Sequence, residues 1–289
     1  MGFTNQEYIE CNYNGKSIKV SPFITTALQL INKDIEDKWD SIILVTGDVG
    51  SGKSTLAMTI AGMYQKLRGE ELTIDHFTWT SEGLVEFTDR QDNYEEPIIY
   101  DEAIQGGAGK DIMTKAGKHL TNALVTKRRK RHLTIVIVDQ LQEFNRKFIA
   151  RCYMTIDCRV LIKEHKRVRG YFKAYSQKET LHLYSLLKKG SIRDIRQYSG
   201  KYKPFFRFWD STDVFINENE YEQKKIEQTN SIIDDNSKIE WTKQKLEAFM
   251  YYVKGGLTQR EIAGKVGLTQ PTINVYITEF KKIIDLRGI

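Results

Sequence analysis

Cysteine, long apolar runs and net charge are all in short supply in this chain, and each shortage closes off a class of protein. Cys11, Cys152 and Cys158 are the only cysteines in 289 residues, too few for a disulfide framework. The gap between the last two lacks the close Cys-x-x-Cys spacing of zinc sites, so all three are expected to be reduced, structural thiols. The longest apolar runs, Ile42–Val45 and Ile135–Val138, fall far short of the roughly 20 residues that span a bilayer, and no membrane crossing is expected. Met1–Glu10 lacks the basic region and apolar stretch of a signal peptide, which predicts a soluble, cytoplasmic protein. A formal charge of +6 is a mild excess that suits a soluble chain with or without an anionic partner. A hydrophobic content of 40% is enough for one main domain and a smaller one.

Apolar spacing supplies the coarse outline. Ile9–Val20 alternates weakly around Asn14-Gly15, a hairpin pattern. Phe23–Trp39 repeats at helical spacing and leads into a strand over Ser41–Thr46. Ser54–Leu67 reads as a helix, Leu72–Trp79 as a strand, Ile98–Tyr100 as a short strand ending in Asp101 and Glu102, and Ile112–Lys130 as a helix. Leu133–Val138 is a further strand, closed by Asp139 and Gln140. Strands alternating with helices and ending in polar residues predict an α/β fold, with a mostly parallel sheet and a site at the strands' carboxyl ends. Ile156–Tyr175 alternates apolar and basic residues with Gly170 in the middle, as further strands or a hairpin would. Domains are expected at 1–212 and 238–289, joined by a polar linker over 213–237 that is partly helical.

Gly47-Asp-Val-Gly-Ser-Gly-Lys53-Ser54 has the composition of a phosphate-binding loop between a strand and a helix. Gly47, Gly50 and Gly52 allow backbone N–H groups to turn inward, with Asp48, Val49, Ser51 and Thr55 completing the cradle. Lys53 would reach the β- and γ-phosphates, and Ser54 would offer its hydroxyl to Mg²⁺ at a helix N-terminus whose dipole favours anions. Asp101 is expected to hold Mg²⁺ through water and Glu102 to act as general base toward the attacking water. A guanine-reading Asn-Lys-x-Asp element is missing, because Asn32-Lys33-Asp34-Ile35 lacks the final Asp and precedes the loop. The expected ligands are therefore ATP and Mg²⁺.

From Ser41 to Val160 the chain resembles the HerA/FtsK group of DNA-translocating and packaging ATPases, including viral packaging and zonula-occludens-toxin-like ATPases. The resemblance rests on Gly47–Ser54, on Ile98–Glu102, and on Lys127-Arg-Arg-Lys-Arg-His-Leu-Thr-Ile-Val-Ile-Val-Asp-Gln140. It implies a P-loop NTPase core of the RecA-like, ASCE kind with helices on both faces of the sheet. It also implies that Gln140 contacts the γ-phosphate or its water, and that Arg128, Arg129 or Arg131 serves a neighbouring subunit's nucleotide in an oligomer such as a hexameric ring. Asp139 stands where the group often has Thr or Ser. Further basic residues, among them Arg146, Lys147, Arg151, Arg159, Lys166, Arg167 and Arg169, suggest a stripe for the phosphate backbone of DNA.

Gln259–Phe280 resembles a helix-turn-helix. Thr258 with Glu261 forms a capping-box pattern, Thr269 is placed to cap the second helix, and Gly267 suits the turn. Ile262, Val266, Leu268, Ile273 and Tyr276 are expected to pack the two helices together, with Trp241, Leu246 and Met250 adding core from the preceding helix. Gln270, Thr272 and Asn274 are then the expected base-edge contacts, with Lys281 and Lys282 at the backbone. The function expected is a DNA-stimulated, Mg²⁺-dependent ATPase that moves or packages DNA. The alternative is an initiator or regulator of the AAA+ type, in which ATP gates assembly on DNA and a helical lid with a sensing Arg follows the core. A membrane-bound extrusion ATPase is disfavoured for want of a crossing segment.

Overall fold

A computed structural model describes residues 9–13, 16–90, 94–101, 130–198, 206–208, 215–217, 219–227 and 243–287. The chain divides into two compact units, Met1–Thr229 and Asn230–Ile289.

The first unit is a mixed α/β structure. A two-stranded antiparallel ribbon, β1 (Ile9–Tyr13) and β2 (Lys16–Val20), precedes helix α1 (Pro22–Glu36). Ser21 caps α1 with Pro22 in its first turn, where a missing N–H costs nothing. The helix stops at Glu36 rather than continuing to Trp39, because the chain reverses through Lys38 at φ 68°, and Trp39 is left exposed. Strand β3 (Ser41–Gly47) feeds helix α2 (Lys53–Arg68), which ends on Gly69 in the left-handed conformation that glycine adopts at little cost. Of the strand expected over Leu72–Trp79, only β4 (Phe77–Thr78) forms. Thr73 and His76 cap each other around a single 3₁₀ turn that consumes the residues before it.

Helix α3 (Ser81–Asp89), β5 (Pro97–Asp101), β6 (Leu133–Ile137), the short α4 (Arg146–Ile149), β7 (Met154–Lys163), β8 (Lys166–Ser176), α5 (Gln177–Lys188) and β9 (Phe206–Arg207) complete the described elements of the sheet and its covers. Residues 219–227 are also helical. Strand order is β4-β5-β6-β3-β7-β8-β9, parallel from β4 to β7 and antiparallel beyond.

The apolar strands are buried on both faces, as parallel strands with covering helices must be. Ile43 and Val45 of β3, with Leu133, Ile135 and Ile137 of β6, face α1, α2 and Phe215, Ile216 and Tyr221. Ile42, Leu44, Val136 and Val138 face the opposite way, toward Leu84 and Phe87 of α3, Phe148 and Ile149 of α4, and Leu183 and Leu187 of α5. The segment expected as a linker from 213 therefore contributes core residues to the first unit, and the boundary between the units falls after Thr229.

The hairpin expected within Ile156–Tyr175 is present, but Gly170 is not its turn. Glu164 and His165, both at positive φ, make the two-residue connection, a conformation usually taken by Asn-Gly pairs. Gly170 instead lies inside β8, also at positive φ.

The second unit holds α6 (Lys243–Lys254), α7 (Gln259–Val266) and α8 (Gln270–Arg287), with no strand among its described residues. Ala248, Ile262, Ala263, Val266, Ile273 and Ile277 form its core. Leu246 and Met250 are about half exposed, contrary to expectation. α6 turns the face carrying Ala248, Phe249 and Tyr252 inward instead. Among the described residues no helix is long and apolar enough to cross a membrane.

Candidate functional site

Three neighbouring strands, β5, β6 and β3, end side by side and bring Asp101, Asp139–Gln140 and the Gly47–Ser54 loop together. β6 lies between the other two, so Asp101 pairs in register with Ile137 and Val45 with the same Ile137. Sequence-distant polar groups thus converge at one carboxyl edge of the sheet.

The loop's backbone requires its glycines. Gly47 (φ 143°) passes so close to β7 that a Cβ would lie 2.6 Å from the Cys158 carbonyl oxygen. Gly50 and Gly52 have φ of 71° and 94°. Gly52 precedes α2 with no side-chain cap, leaving the first-turn N–H donors of that helix without the usual oxygen partner. The buried Ser51 hydroxyl likewise has no protein hydrogen-bond partner. Glycines at the positive-φ positions of the loop, an uncapped helix start and an orphaned hydroxyl together fit a phosphate group.

Lys53 is buried, and its ammonium donates to the Gly47 (2.9 Å) and Asp48 (3.2 Å) carbonyl oxygens. It also pairs with Asp139 at 2.9 Å. The Asp139 contact could not be read from sequence. The Ser54 hydroxyl donates to Asp101 Oδ2 at 2.9 Å, and the Tyr221 hydroxyl donates to the same oxygen at 2.9 Å. Burial, followed by the charge on Asp101, pushes the Tyr221 hydroxyl's pKa well up, so it is a fixed donor. Among the described residues no cluster of three His, Cys, Asp or Glu side chains could hold a metal alone. Ser54 and Asp101 suit Mg²⁺, which commonly takes one or two protein oxygens and fills its remaining positions with waters and phosphates.

Gln140 is exposed and accepts from the Gln142 amide at 3.0 Å. Arg131 is not brought to this edge. It precedes β6 at the sheet's other end and pairs with Glu95 at 2.7 Å. Glu102, Arg128 and Arg129 lie outside the described residues, as does most of the helix expected over Ile112–Lys130.

A cleft beside the loop is lined by Thr46, Gly47, Asp48, Asp139, Gln140 and Arg196, among others. Arg196 donates to Asp48 at 2.7 Å and pairs with Asp194. Deeper in, Asp157 accepts from the Thr46 hydroxyl at 3.3 Å and pairs with Arg159. The expected basic stripe is therefore partly absorbed, since Arg159 is taken up by Asp157 and Arg151 by Asp40 at 2.8 Å. Lys166, Arg167 and Arg169 remain exposed on the hairpin. Burial also pushes the Cys152 thiol up, consistent with an inert structural thiol.

Burial raises the Asp157 pKa to about 6, against the pull of Arg159 and Thr46. The folded protein then holds more protons than the unfolded chain between about pH 4 and pH 6, and this group's contribution to stability falls as pH rises through that window. His132 acts in the opposite sense. Burial lowers its pKa to about 4, so its contribution is lost as pH falls from about 6.5 to 4. Asp157→Asn should remove the first slope, worth on the order of 1–3 kcal/mol, and expose the second. The measurement is melting temperature against pH for both proteins. A difference between them that stays constant from pH 4 to 6.5 would show that Asp157 does not titrate there.

In the second unit Thr258 and Glu261 form the expected capping box, and Gly267 ends α7 at φ 69°. The Thr269 hydroxyl caps α8 at Thr272 N and also meets the Thr272 hydroxyl at 2.9 Å. Thr272 is thereby half-buried in the cap, whereas Gln270 and Asn274 stand exposed on the same helix. Lys281 and Lys282 fall farther along α8. Trp241 lies outside the described residues.

No curated protein matches the chain significantly. Residues 251–283, which span the end of α6, α7 and most of α8, match the winged helix-turn-helix DNA-binding family, and this similarity supports DNA binding by the C-terminal unit.

Proposed function

We propose that the first unit is a P-loop ATPase of the ASCE kind and that the chain is a HerA/FtsK-like DNA motor, recruited to its substrate through the C-terminal helix-turn-helix. The observation that carries this reading is the convergence of Lys53, Ser54, Asp101 and Gln140 on three adjacent strand ends, with the Gln140 strand between the other two. That order sets loop, acid and glutamine around one edge of the sheet, as a γ-phosphate site requires. The loop N–H groups and Lys53 bind the phosphates, and Lys53 exchanges Asp139 for them. Ser54 directly and Asp101 through water would hold Mg²⁺, which when bound would neutralise charge on the transferring phosphoryl group. Glu102 accepts the proton of the attacking water, and Gln140 orients that water. Arg128, Arg129 or Arg131 acts on a neighbouring subunit's nucleotide, which makes an oligomer such as a hexameric ring the working form. Gln270 and Asn274 meet base edges, Thr272 tightens the helix start, and Lys281 and Lys282 meet phosphates.

The second reading, an AAA+-like initiator or regulator, draws on Arg196, which follows α5 and reaches Asp48 of the loop. Against it, the segment after the core strands is the β7–β8 hairpin, and helix α5, which follows the hairpin, is packed onto the sheet through Leu183 and Leu187. A mobile helical lid would not be fixed in that way.

Phosphate release from ATP, with and without DNA, tests the ATPase reading. Glu102→Gln should keep nucleotide affinity and lower turnover about 10²-fold or more. Wild-type turnover in that variant removes Glu102 from the role of base.

A further inference from the structure

Asp101 is held by a residue that comes from far outside the phosphate site. Tyr221, 120 positions away in sequence, donates its hydroxyl to the same Oδ2 atom that accepts from Ser54. The two donors constrain that carboxylate together. Tyr221 is buried, with its ring against Phe77 (centroids 5.6 Å apart) and Trp79 (5.5 Å).

The segment that carries Tyr221 has a composition that would not order itself. Its neighbours from Asn219 to Glu227 are mostly Glu, Gln and Lys. Its seating in the first unit depends on a few anchors. Phe215 fills the space over Gly62 of α2, where an added Cβ would lie 2.0 Å from its ring. Ile216 is buried in the same core. Lys224 pairs with Asp75 at 2.8 Å, a surface contact worth little by itself. The Tyr221–Asp101 bond is the anchor that reaches the site, and the segment is the last described part of the first unit before the chain enters the second.

We propose that Tyr221 is a positioning residue for the cation-holding carboxylate Asp101, so that seating of the 215–227 segment and loading of the phosphate site with a divalent cation are energetically coupled. The inference rests on the reading of that site as one for Mg²⁺ and nucleotide. Asp101, reaching the cation through water, is itself an outer-shell partner, and losing such a partner, or its orientation, typically costs about 10–100-fold in metal affinity. Coupling is reciprocal: if the seated segment favours the cation, the bound cation favours the seated segment by the same factor. The segment leading to the DNA-binding unit then responds to whether the site is loaded.

The test uses the full chain and Tyr221→Phe, which keeps the ring and deletes only the hydroxyl. Lys224→Ala is the control, because it removes the surface pair of the same segment and leaves Asp101's hydrogen bond. Three quantities are measured: ADP affinity in EDTA, Mn²⁺ affinity of the ADP complex by electron paramagnetic resonance, and hydrogen exchange of residues 215–227 with and without Mg²⁺. Tyr221→Phe should bind ADP in EDTA like wild type and Mn²⁺ about 10–100-fold more weakly. The added exchange protection that Mg²⁺ gives the wild-type segment should be lost in Tyr221→Phe, and Lys224→Ala should behave as wild type. Mn²⁺ affinity within twofold of wild type in Tyr221→Phe overturns the proposal. An equal loss in both variants overturns the positioning role of the Tyr221 hydroxyl, by assigning the effect to segment seating in general. A wild-type chain that binds no ADP under either condition defeats the nucleotide reading itself, and this inference with it.

Discussion

Lys53→Ala should abolish nucleotide binding at the loop and reduce ATP turnover by at least about 10³-fold. A single donor aimed at developing charge is worth about 10²–10³ in rate, and in the proposed site Lys53 would also supply a full positive charge to the phosphates. The side chain is buried and held by two loop carbonyl oxygens and by Asp139. Its removal leaves Asp139 as a carboxylate without its cation, facing the region the phosphates would occupy. That residual negative charge adds repulsion to lost attraction. Lys53→Ala with Asp139→Asn should therefore recover some binding without recovering turnover. Isothermal titration with ADP and phosphate-release assays check both parts. Wild-type affinity in Lys53→Ala would mean that the loop is not where nucleotide binds.

Ile273→Ala should unfold the C-terminal unit and abolish DNA binding while leaving basal ATP turnover in place. Ile273 has no exposed surface and joins Ile262, Val266 and Ile277 in a core of few residues. Truncating a buried isoleucine to alanine costs about 2–5 kcal/mol. A unit this small typically has only about 3–5 kcal/mol to lose. Gln270→Ala with Asn274→Ala should behave differently, because both side chains are exposed and contribute no core. That pair should melt like wild type and lose sequence discrimination of about 1–3 kcal/mol for each bidentate base contact removed. Fluorescence anisotropy with DNA, alongside thermal melts of the full chain, separates the two outcomes. Full DNA affinity in Ile273→Ala would move DNA binding away from this unit.

The parts of the candidate site legible in sequence are those whose chemistry is contiguous. Gly47–Ser54 and Ile98–Asp101 each carry their strand, turn and polar residues within a few positions, and Leu133–Gln140 does the same for the strand between them. Contacts made at long range left no such trace. Tyr221 stands in a polar stretch, and the sole cue was a large aromatic side chain among Glu, Gln and Lys. Arg159 and Asp157 stand two apart on one face of β7, a local pairing that strand periodicity allows, whereas Lys53–Asp139 could not be read because its two residues follow different strands with no fixed spacing between them. The charge run from Arg146 to Lys173 suggested a continuous basic stripe for the same reason, since partners such as Asp40 lie 111 residues away.

Misreadings of the fold have local causes. Trp39 continued the apolar spacing of α1, but a left-handed residue at Lys38 had already ended the helix. Leu246 and Met250 share one face of α6, and the helix packs by another. The hairpin within Ile156–Tyr175 was legible from its alternation, but its turn was not, because Glu164-His165 carries none of the usual composition of a two-residue turn.

ATP-driven displacement of a protein roadblock from duplex DNA is the most direct test of the motor reading, run on the wild-type chain with Lys53→Ala as the blank and oligomer size recorded with and without ATP. A DNA motor predicts displacement by a multimer, dependent on ATP and absent in Lys53→Ala. A stable ATP-dependent footprint at defined sequences, with no displacement, would contradict the motor and leave the initiator or regulator reading in its place.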